Sequence, residues 1–327
     1  MNAMQNDSWC PSAAIETLKV RAEKLRTIRT FFSERGLLEV ETPVLGRGGS
    51  TDVHLASLSL VATTPSGQER LWLQTSPEFH MKRLLAAGSG PIFQLARVFR
   101  DGEVGQRHNI EFTMLEWYRP GWALTQLSDE VDTLIRHVLA NDPGPTRRVR
   151  YRNLFRDALG LDPFTASLDR LRDEAFRIGN IETKAWTRDD CLDLLMSLVI
   201  EPTLGRRGVD IVIDYPASQA SLAKCKHDEE GSLVAARFEV YLNGIELANG
   251  YDELLEAEEQ KARFDADNKA RMALNKPHVE VDHHLVAALE AGMPPCSGVA
   301  LGVDRLIMLA LEKSRVEEVV AFSSRNC

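Results

Sequence analysis

The chain has 327 residues, 44% of them hydrophobic, enough for one large domain or two smaller ones with a full apolar core. A formal net charge of −9 argues against a protein that coats nucleic acid, which carries a basic excess, while leaving room for a local basic patch. Five scattered cysteines with no Cys-x-x-Cys pair (Cys10, Cys191, Cys225, Cys296, Cys327) fit reduced thiols better than a disulfide framework or a zinc site. Residues 1–14 lack the basic-then-apolar pattern of a signal peptide, and the largely apolar stretch Leu192–Ile200 is too short to span a bilayer. A cytoplasmic protein with no membrane association is the expectation.

Residues 1–14 read as a tail. Ile15–Glu34 spaces its apolar residues (Leu18, Ala22, Leu25, Ile28, Phe31) as an amphipathic helix does, with Gly36 placed to end it. RGLLEVETPVL follows as a short strand, stopped by Pro43 at an edge or an interface. Gly46–Ser50 is a flexible connector, Leu58–Thr63 and Arg70–Gln74 are strand-like, and Ser76-Pro77-Glu78 opens a helix with Leu84 and Leu85 on its apolar side. Ile92–Phe99 and Ile110–Tyr118 alternate with period two and read as strands joined by the polar loop Arg100–Asn109. Leu124–Ala140 is helical, Asn141–Arg150 is a Pro/Gly break with a basic cluster, and residues 151–200 hold short helices. The stretch from about 141 to 205 reads as a helical insertion. Val209–Tyr215 is a buried strand, and Leu233–Leu242 and Ile245–Ala248 flank Asn243-Gly244, the strongest hairpin signal in the chain. Helices are expected at Asp252–Leu274 and His283–Ala291, and SGVALGVDRLIMLALEK reads as a strand passing into a helix. Strands joined by hairpins, with helices gathered rather than alternating, argue for one α+β domain over 15–327 around an antiparallel sheet.

The sequence has no P-loop, no G-x-G-x-x-G fingerprint, no His-Glu-x-x-His pair and no Gly-x-Ser-x-Gly elbow. Glu239 lies in one strand and Glu246 in the next, across the Asn243-Gly244 turn, and a tight hairpin would bring them onto adjacent strands. Paired carboxylates of this kind hold Mg²⁺ carrying substrate phosphates, although two exposed strand-face glutamates would show the same spacing. Arg100 at a strand end and Arg305 at a strand–helix junction are candidates for bidentate phosphate contact; Arg305 alone would also serve as a helix salt-bridge partner. Glu78, Glu116 and Glu253 come from three separate elements. Buried together they need a cation, which suggests an amine-bearing ligand, with Tyr118 and Tyr251 as walls. Phe112 could stack on a flat base or fill a core.

In order along the chain, these residues resemble class II aminoacyl-tRNA synthetases of the lysine type. RGLLEVETPVL resembles the first motif, FRDGEVGQRHNIEFTMLEWY the second and GVALGVDRLIML the third; TSPEFHMKR and IELANGYDELLEAEEQKARF resemble lysine-type stretches between them. The match runs from about Ile15 to the C-terminus. It implies the class II catalytic fold, an antiparallel sheet flanked by helices, and a homodimer through the first motif. There are three departures. The first-motif helix begins almost at once, leaving no room for an anticodon-binding barrel. Ala300 stands where synthetases usually have Gly, and Gly102-Glu103 replaces an Asn-Glu order. With Glu-Trp-Tyr-Arg-Pro after the second motif, the chain looks like the stand-alone relatives that attach (R)-β-lysine to a lysine of elongation factor P.

That resemblance implies ATP and Mg²⁺, with the ion on Glu239 and Glu246. Arg100, with Asp101, Gly102 and Glu103, would meet the α-phosphate end of ATP. His108 and Arg305 would meet the far phosphates, and Phe112 the adenine with Asn109 beside it. Glu246, Leu247 and Gly302 complete the nucleotide set, and Arg100 and Arg305 are the catalytic residues. Glu253 would take the side-chain ammonium of the amino acid. Glu78, Glu116, Tyr118 and Asn249 would read its other amine, in a pocket shared with Ser76, Pro77, Asn109, Tyr251 and Ala300. No stable tRNA binding is expected. The rival readings are a truncated lysyl-tRNA synthetase and a silent synthetase-like regulatory subunit.

Overall fold

The computed structural model describes residues 9–139 and 141–327. The tail expected at 1–14 and the end of the helix expected at Leu124–Ala140 therefore lie partly outside the described residues. Helix α1 (Ile15–Ser33) buries Ile28, Phe31 and Phe32, and Gly36, at φ 72°, turns the chain out of it. The first-motif stretch then splits. Leu38–Glu39 (β1) joins the main sheet, while Leu45–Gly46 (β2) joins a separate three-stranded sheet with β3 (Ser59–Thr64) and β4 (Gly67–Leu73). The expected single strand is thus two short ones, divided around Pro43, which has no N–H for a ladder.

Helix α2 (Glu78–Ala86) precedes β5 (Ile92–Phe99) and β6 (Glu111–Pro120), an antiparallel pair in register from Ile92↔Tyr118 to Phe99↔Glu111. After α3 (Leu124–Val138) comes β7 (Thr146–Arg150), where a basic break was expected. This Arg-rich segment forms an edge strand because acidic partners receive its side chains: Arg147 meets Asp210 at 2.8 Å, Arg150 meets Asp214 at 3.4 Å, and Arg148 pairs with Asp129. Helices α4 (Tyr151–Leu159), α5 (Leu168–Gly179) and α6 (Arg188–Leu195) follow, the last running into a π-turn at Met196–Ile200.

The chain returns through β8 (Val209–Pro216), β9 (Cys225–His227), β10 (Leu233–Leu242) and β11 (Ile245–Asp252). Asn243 and Gly244 both take positive φ, 54° and 71°, as a tight hairpin with this twist demands. Strand β11 runs on to Asp252 instead of stopping at Ala248, and the next helix, α7, starts at Ala257. The extension has a partner: Ala248–Asp252 pairs with Leu301–Ser297 of β12 (Cys296–Gly302). Helix α8 (His283–Gly292) precedes β12, and α9 (Val303–Ala310) follows it.

The main sheet has the order β1-β5-β6-β12-β11-β10-β8-β7, with β9 beside β10. It is antiparallel except at its two outer pairs, β1·β5 and β7·β8, so the expected α+β architecture is what the chain adopts. Period-2 alternation sorts the side chains of β6 and β12. Leu115, Trp117, Val299 and Leu301 pack toward α1, α3 and α9, where Phe32 stacks on Phe93 with centroids 4.8 Å apart. Met114, Glu116, Tyr118, Ala300 and Gly302 face the other way, into a cleft. A second core joins Phe155, Leu171 and Leu192 to Val212 and Tyr241 on the far end of the sheet. No helix among the described residues is long and apolar enough to cross a membrane.

Candidate active site

The cleft on the open face of the sheet has a volume of about 1140 Å³. At one end stand the arginines. Arg100 leaves β5 with its guanidinium 5.3 Å from the Phe112 ring centroid and 3.7 Å from Glu103 Oε1. Its buried Nε has no hydrogen-bond partner, and the residue lines the cleft. Arg305, in the first turn of α9, donates to the Glu246 carbonyl at 2.9 Å and meets His108 Nε2 at 2.5 Å. Burial, and then the Arg305 charge, lower the His108 pKa, so the imidazole is neutral and Nε2 accepts. Asp304 anchors this corner: it accepts from Arg21 at 2.5 Å and from the Thr113 amide at 3.0 Å, tying α9 to β6. Asn109 is committed to the backbone at both ends of its amide, donating to Glu111 O at 2.7 Å and accepting from Ser324 N at 2.8 Å.

Between the two ends lie the paired carboxylates. A bulge at Val240/Tyr241 sets Glu239 opposite Asn249 and Tyr241 opposite Glu246. Glu239 is held by the Tyr215 and Tyr241 hydroxyls, each at 2.5 Å, and by Arg237. Burial, and the nearby Glu246, raise its pKa against the pull of Arg237. Glu201, reached through the π-turn, borders the same place, and burial together with Glu246 and Glu239 pushes its carboxyl up to about 7. Arg237 pairs with Glu239 and Arg305 with Glu246 at 3.4 Å, so the cluster is partly neutralised, but its carboxylate oxygens are of the kind a hard divalent cation takes. Among the described residues no three His, Cys, Asp or Glu side chains are arranged to enclose one. Mg²⁺ keeps waters and phosphate oxygens, however, and takes only one or two protein carboxylates.

The other end is a buried carboxylate pocket. Glu116 accepts from Ser76 Oγ at 2.6 Å and from the Tyr118 hydroxyl at 2.7 Å. Ser76 Oγ also caps the Glu78 amide at 3.0 Å, fixing the start of α2. Lys82, one turn along that helix, places Nζ 2.6 Å from Glu78 Oε1 and 2.6 Å from Glu253 Oε2. Burial, then Glu78, raise the Glu116 pKa. Burial also raises that of Glu253, with Lys82 opposing it. Burial would lower the Lys82 pKa, but Glu253 and Glu78 hold it above its ordinary value. Asn249 Oδ1 is buried without a donor, and Arg237 lies over the rings of Tyr215 and Tyr251 at 4.4 and 5.7 Å. Gly298 is required here, because a Cβ would come within 2.4 Å of Glu253 Oε1.

The cleft thus brings together Arg100, Glu103, His108, Asn109, Phe112, Glu239, Glu246, Leu247, Gly302 and Arg305 with Ser76, Glu78, Glu116, Tyr118, Asn249, Tyr251, Glu253 and Ala300. Pro77, Asp101 and Gly102 do not line it. The Pro77 carbonyl accepts the first amide bonds of α2, the Asp101 amide donates to Ala56 O at 2.8 Å, and Gly102 turns at φ 77° in an exposed loop. Lys82, Glu201, Tyr215, Arg237 and Tyr241 were not foreseen. The one available signal was Lys82 four positions after Glu78 on an otherwise apolar helix face.

The sequence profile of the tRNA synthetases class II (D, K and N) matches residues 9–326. Curated relatives are similar over nearly the whole of both chains. An elongation factor P–(R)-β-lysine ligase of Mannheimia succiniciproducens is 49% identical over 324 residues, 98% of this chain and 99% of that one. Its counterpart in Pseudoalteromonas translucida is 51% identical over 325 residues, 98% of each. The Haemophilus influenzae (strain KW20) enzyme is 47% identical over 320 residues, 97% of this chain and 98% of that one. The chain belongs to the class II tRNA synthetase family and, within it, to the ligase branch of these relatives.

Proposed function

We propose that the protein activates (R)-β-lysine with ATP and transfers it to a lysine side chain of elongation factor P. The observation that carries this reading is the convergence of the buried Glu116 and Glu253 with the half-buried Glu78, from three elements, in a pocket that opens toward an arginine-lined end of one cleft. Buried carboxylates call for cationic ligand groups, and guanidinium groups for phosphate.

In the first step a carboxylate oxygen of the amino acid attacks the α-phosphorus of ATP. The bond to the β-phosphate oxygen breaks, and pyrophosphate leaves. Arg100 holds the α-phosphate and the attacking carboxylate, offsetting charge that builds on the phosphorus oxygens. Arg305, with neutral His108 as its fixed neighbour, holds the outer phosphates. Phe112 stacks on adenine. Glu239 and Glu246 hold Mg²⁺, which when bound neutralises phosphate charge. In the second step the neutral ε-amine of the acceptor lysine attacks the mixed anhydride, AMP leaves, and the nitrogen loses a proton. The chain's contribution is positioning, so no protein nucleophile is required. A homodimer through the first motif is supported by the exposure of Ile15, Leu38, Val44 and Leu45 around it.

Amino-acid-dependent exchange of pyrophosphate into ATP tests the first step. Exchange with (R)-β-lysine is expected. Equal activation of every amino acid, or exchange with none, would overturn the reading, and charging of bulk tRNA would favour a lysyl-tRNA synthetase instead.

A further inference from the structure

Lys82 has no part in the mechanism above, yet it sits at the centre of the amino-acid pocket. Its side chain is 1% exposed, with Nζ between Glu78 and Glu253. Its neighbours on the same helix face, Met81 and Leu85, show what a merely space-filling residue would be. Nζ donates a hydrogen bond to Glu78 Oε1 and lies equally close to Glu253 Oε2, each at 2.6 Å. Beyond Lys82, the enclosed Glu253 Oε2 has no hydrogen-bond donor. Glu116 receives only the neutral hydroxyls of Ser76 and Tyr118.

Fully ionised, three carboxylates against one ammonium would leave two negative charges; in the empty pocket burial raises the Glu116 and Glu253 carboxyls and favours their protonated forms instead. A ligand with two ammonium groups displaces those protons and pairs with both carboxylates. A ligand with one leaves a buried charge unpaired, which is strongly unfavourable.

We propose that Lys82 is a specificity-determining positioning residue: it cancels one carboxylate and spaces Glu78 from Glu253, so that the pocket selects diamino acids over amino acids with a single amine. This rests on the reading that the site takes a diamino acid. The titratable groups that interact with Lys82 are Glu78 on its own helix, Glu116 of β6, Glu253 just after β11 and Cys296 of β12, with Tyr118 and Tyr251 beside the carboxylates. Without the ammonium, the empty pocket holds about one more proton, which an incoming diammonium ligand displaces.

The test uses the full chain. Pyrophosphate exchange gives KM and kcat for the diamino acid and for its analogue lacking the terminal amine. Calorimetry in two buffers of different ionisation enthalpy gives the protons released on binding. Wild type should prefer the diamino acid by about a hundredfold or more, each tenfold corresponding to 1.36 kcal/mol. Lys82→Met should raise its KM about tenfold or more at pH 7. The rise should steepen toward acid, with about one extra proton released and kcat little changed. Lys82→Gln serves as the second variant if the first does not fold. A wild type that accepts the single-amine analogue equally well overturns the proposal without any variant. So do variants that keep the wild-type KM, preference and proton count. A wild type that binds ATP but activates neither compound fails the proposed function instead.

Discussion

Gly298→Ala isolates the amino-acid pocket from the nucleotide end of the cleft. Gly298 does not occupy the left-handed region, so its backbone accepts alanine and the effect is steric alone. The new Cβ would meet Tyr118 Cε1 at 2.3 Å and Glu253 Oε1 at 2.4 Å, well inside contact distance. Tyr118 is 2% exposed and cannot swing into solvent, so it must shift within the pocket and loosen its 2.7 Å bond to Glu116. Overpacking of this kind costs about 1–3 kcal/mol, and a hydrogen bond to a charged group contributes about 1.5–3 kcal/mol. Because only part of each is lost, about 2–3 kcal/mol is expected, or roughly 30- to 150-fold in KM for the amino acid. The assay is pyrophosphate exchange at saturating ATP, with ATP affinity measured separately. ATP affinity should stay within about twofold of wild type, because Arg100, His108 and Arg305 do not touch Gly298. An unchanged amino-acid KM, or an equal loss of ATP affinity, would refute the placement of the two ends.

Three further substitutions probe other links. Tyr118→Phe removes the hydroxyl bond to Glu116 while keeping the ring, and should raise amino-acid KM roughly 10- to 150-fold (about 1.5–3 kcal/mol), read by the same exchange assay. Asp304→Ala removes the only carboxylate paired with the buried Arg21, leaving it the Thr113 hydroxyl and the Val319 carbonyl, and leaves the Thr113 amide without this acceptor. It should cost about 3–5 kcal/mol in denaturant unfolding, against near-zero for a surface aspartate. Glu201→Gln tests the carboxyl pushed up to about 7. A carboxyl raised on folding contributes stability that is complete below its unfolded pKa and is lost as pH rises through the folded value. Without nucleotide or metal, the glutamine variant should therefore match wild type near pH 4. At pH 8 it should exceed wild type by an amount on the order of 1–3 kcal/mol, measured by unfolding at both pH values; a less stable variant at pH 8 would contradict the crowding of Glu201, Glu239 and Glu246.

Much of the fold was legible because its signals are local. Period-2 alternation gave β5 with both its ends, and Asn243-Gly244 fixed the β10–β11 hairpin through backbone geometry that few other residues adopt. Strand β7 was not legible, because Thr146–Arg150 carries three arginines whose strand-forming partners, Asp129, Asp210 and Asp214, are remote in sequence. The end of β11 was misplaced for a similar reason: its last residues are ordered by β12, which comes more than forty positions later. At the site, motif order located most of the cleft wall. Pro77, Asp101 and Gly102 do not line it, being immediate neighbours of lining residues that the backbone turns away. Lys82 was missed because a lysine four residues after a glutamate looks like any surface helix pair, and only burial sets it apart.

The central claim is most directly tested by the mass of elongation factor P after incubation with the protein, ATP and (R)-β-lysine. The expected result is a gain equal to one β-lysyl group on a lysine side chain, dependent on ATP and absent when Arg100 is replaced by alanine. An unmodified elongation factor P, under conditions where the protein exchanges pyrophosphate with the same amino acid, would contradict the account of the acceptor.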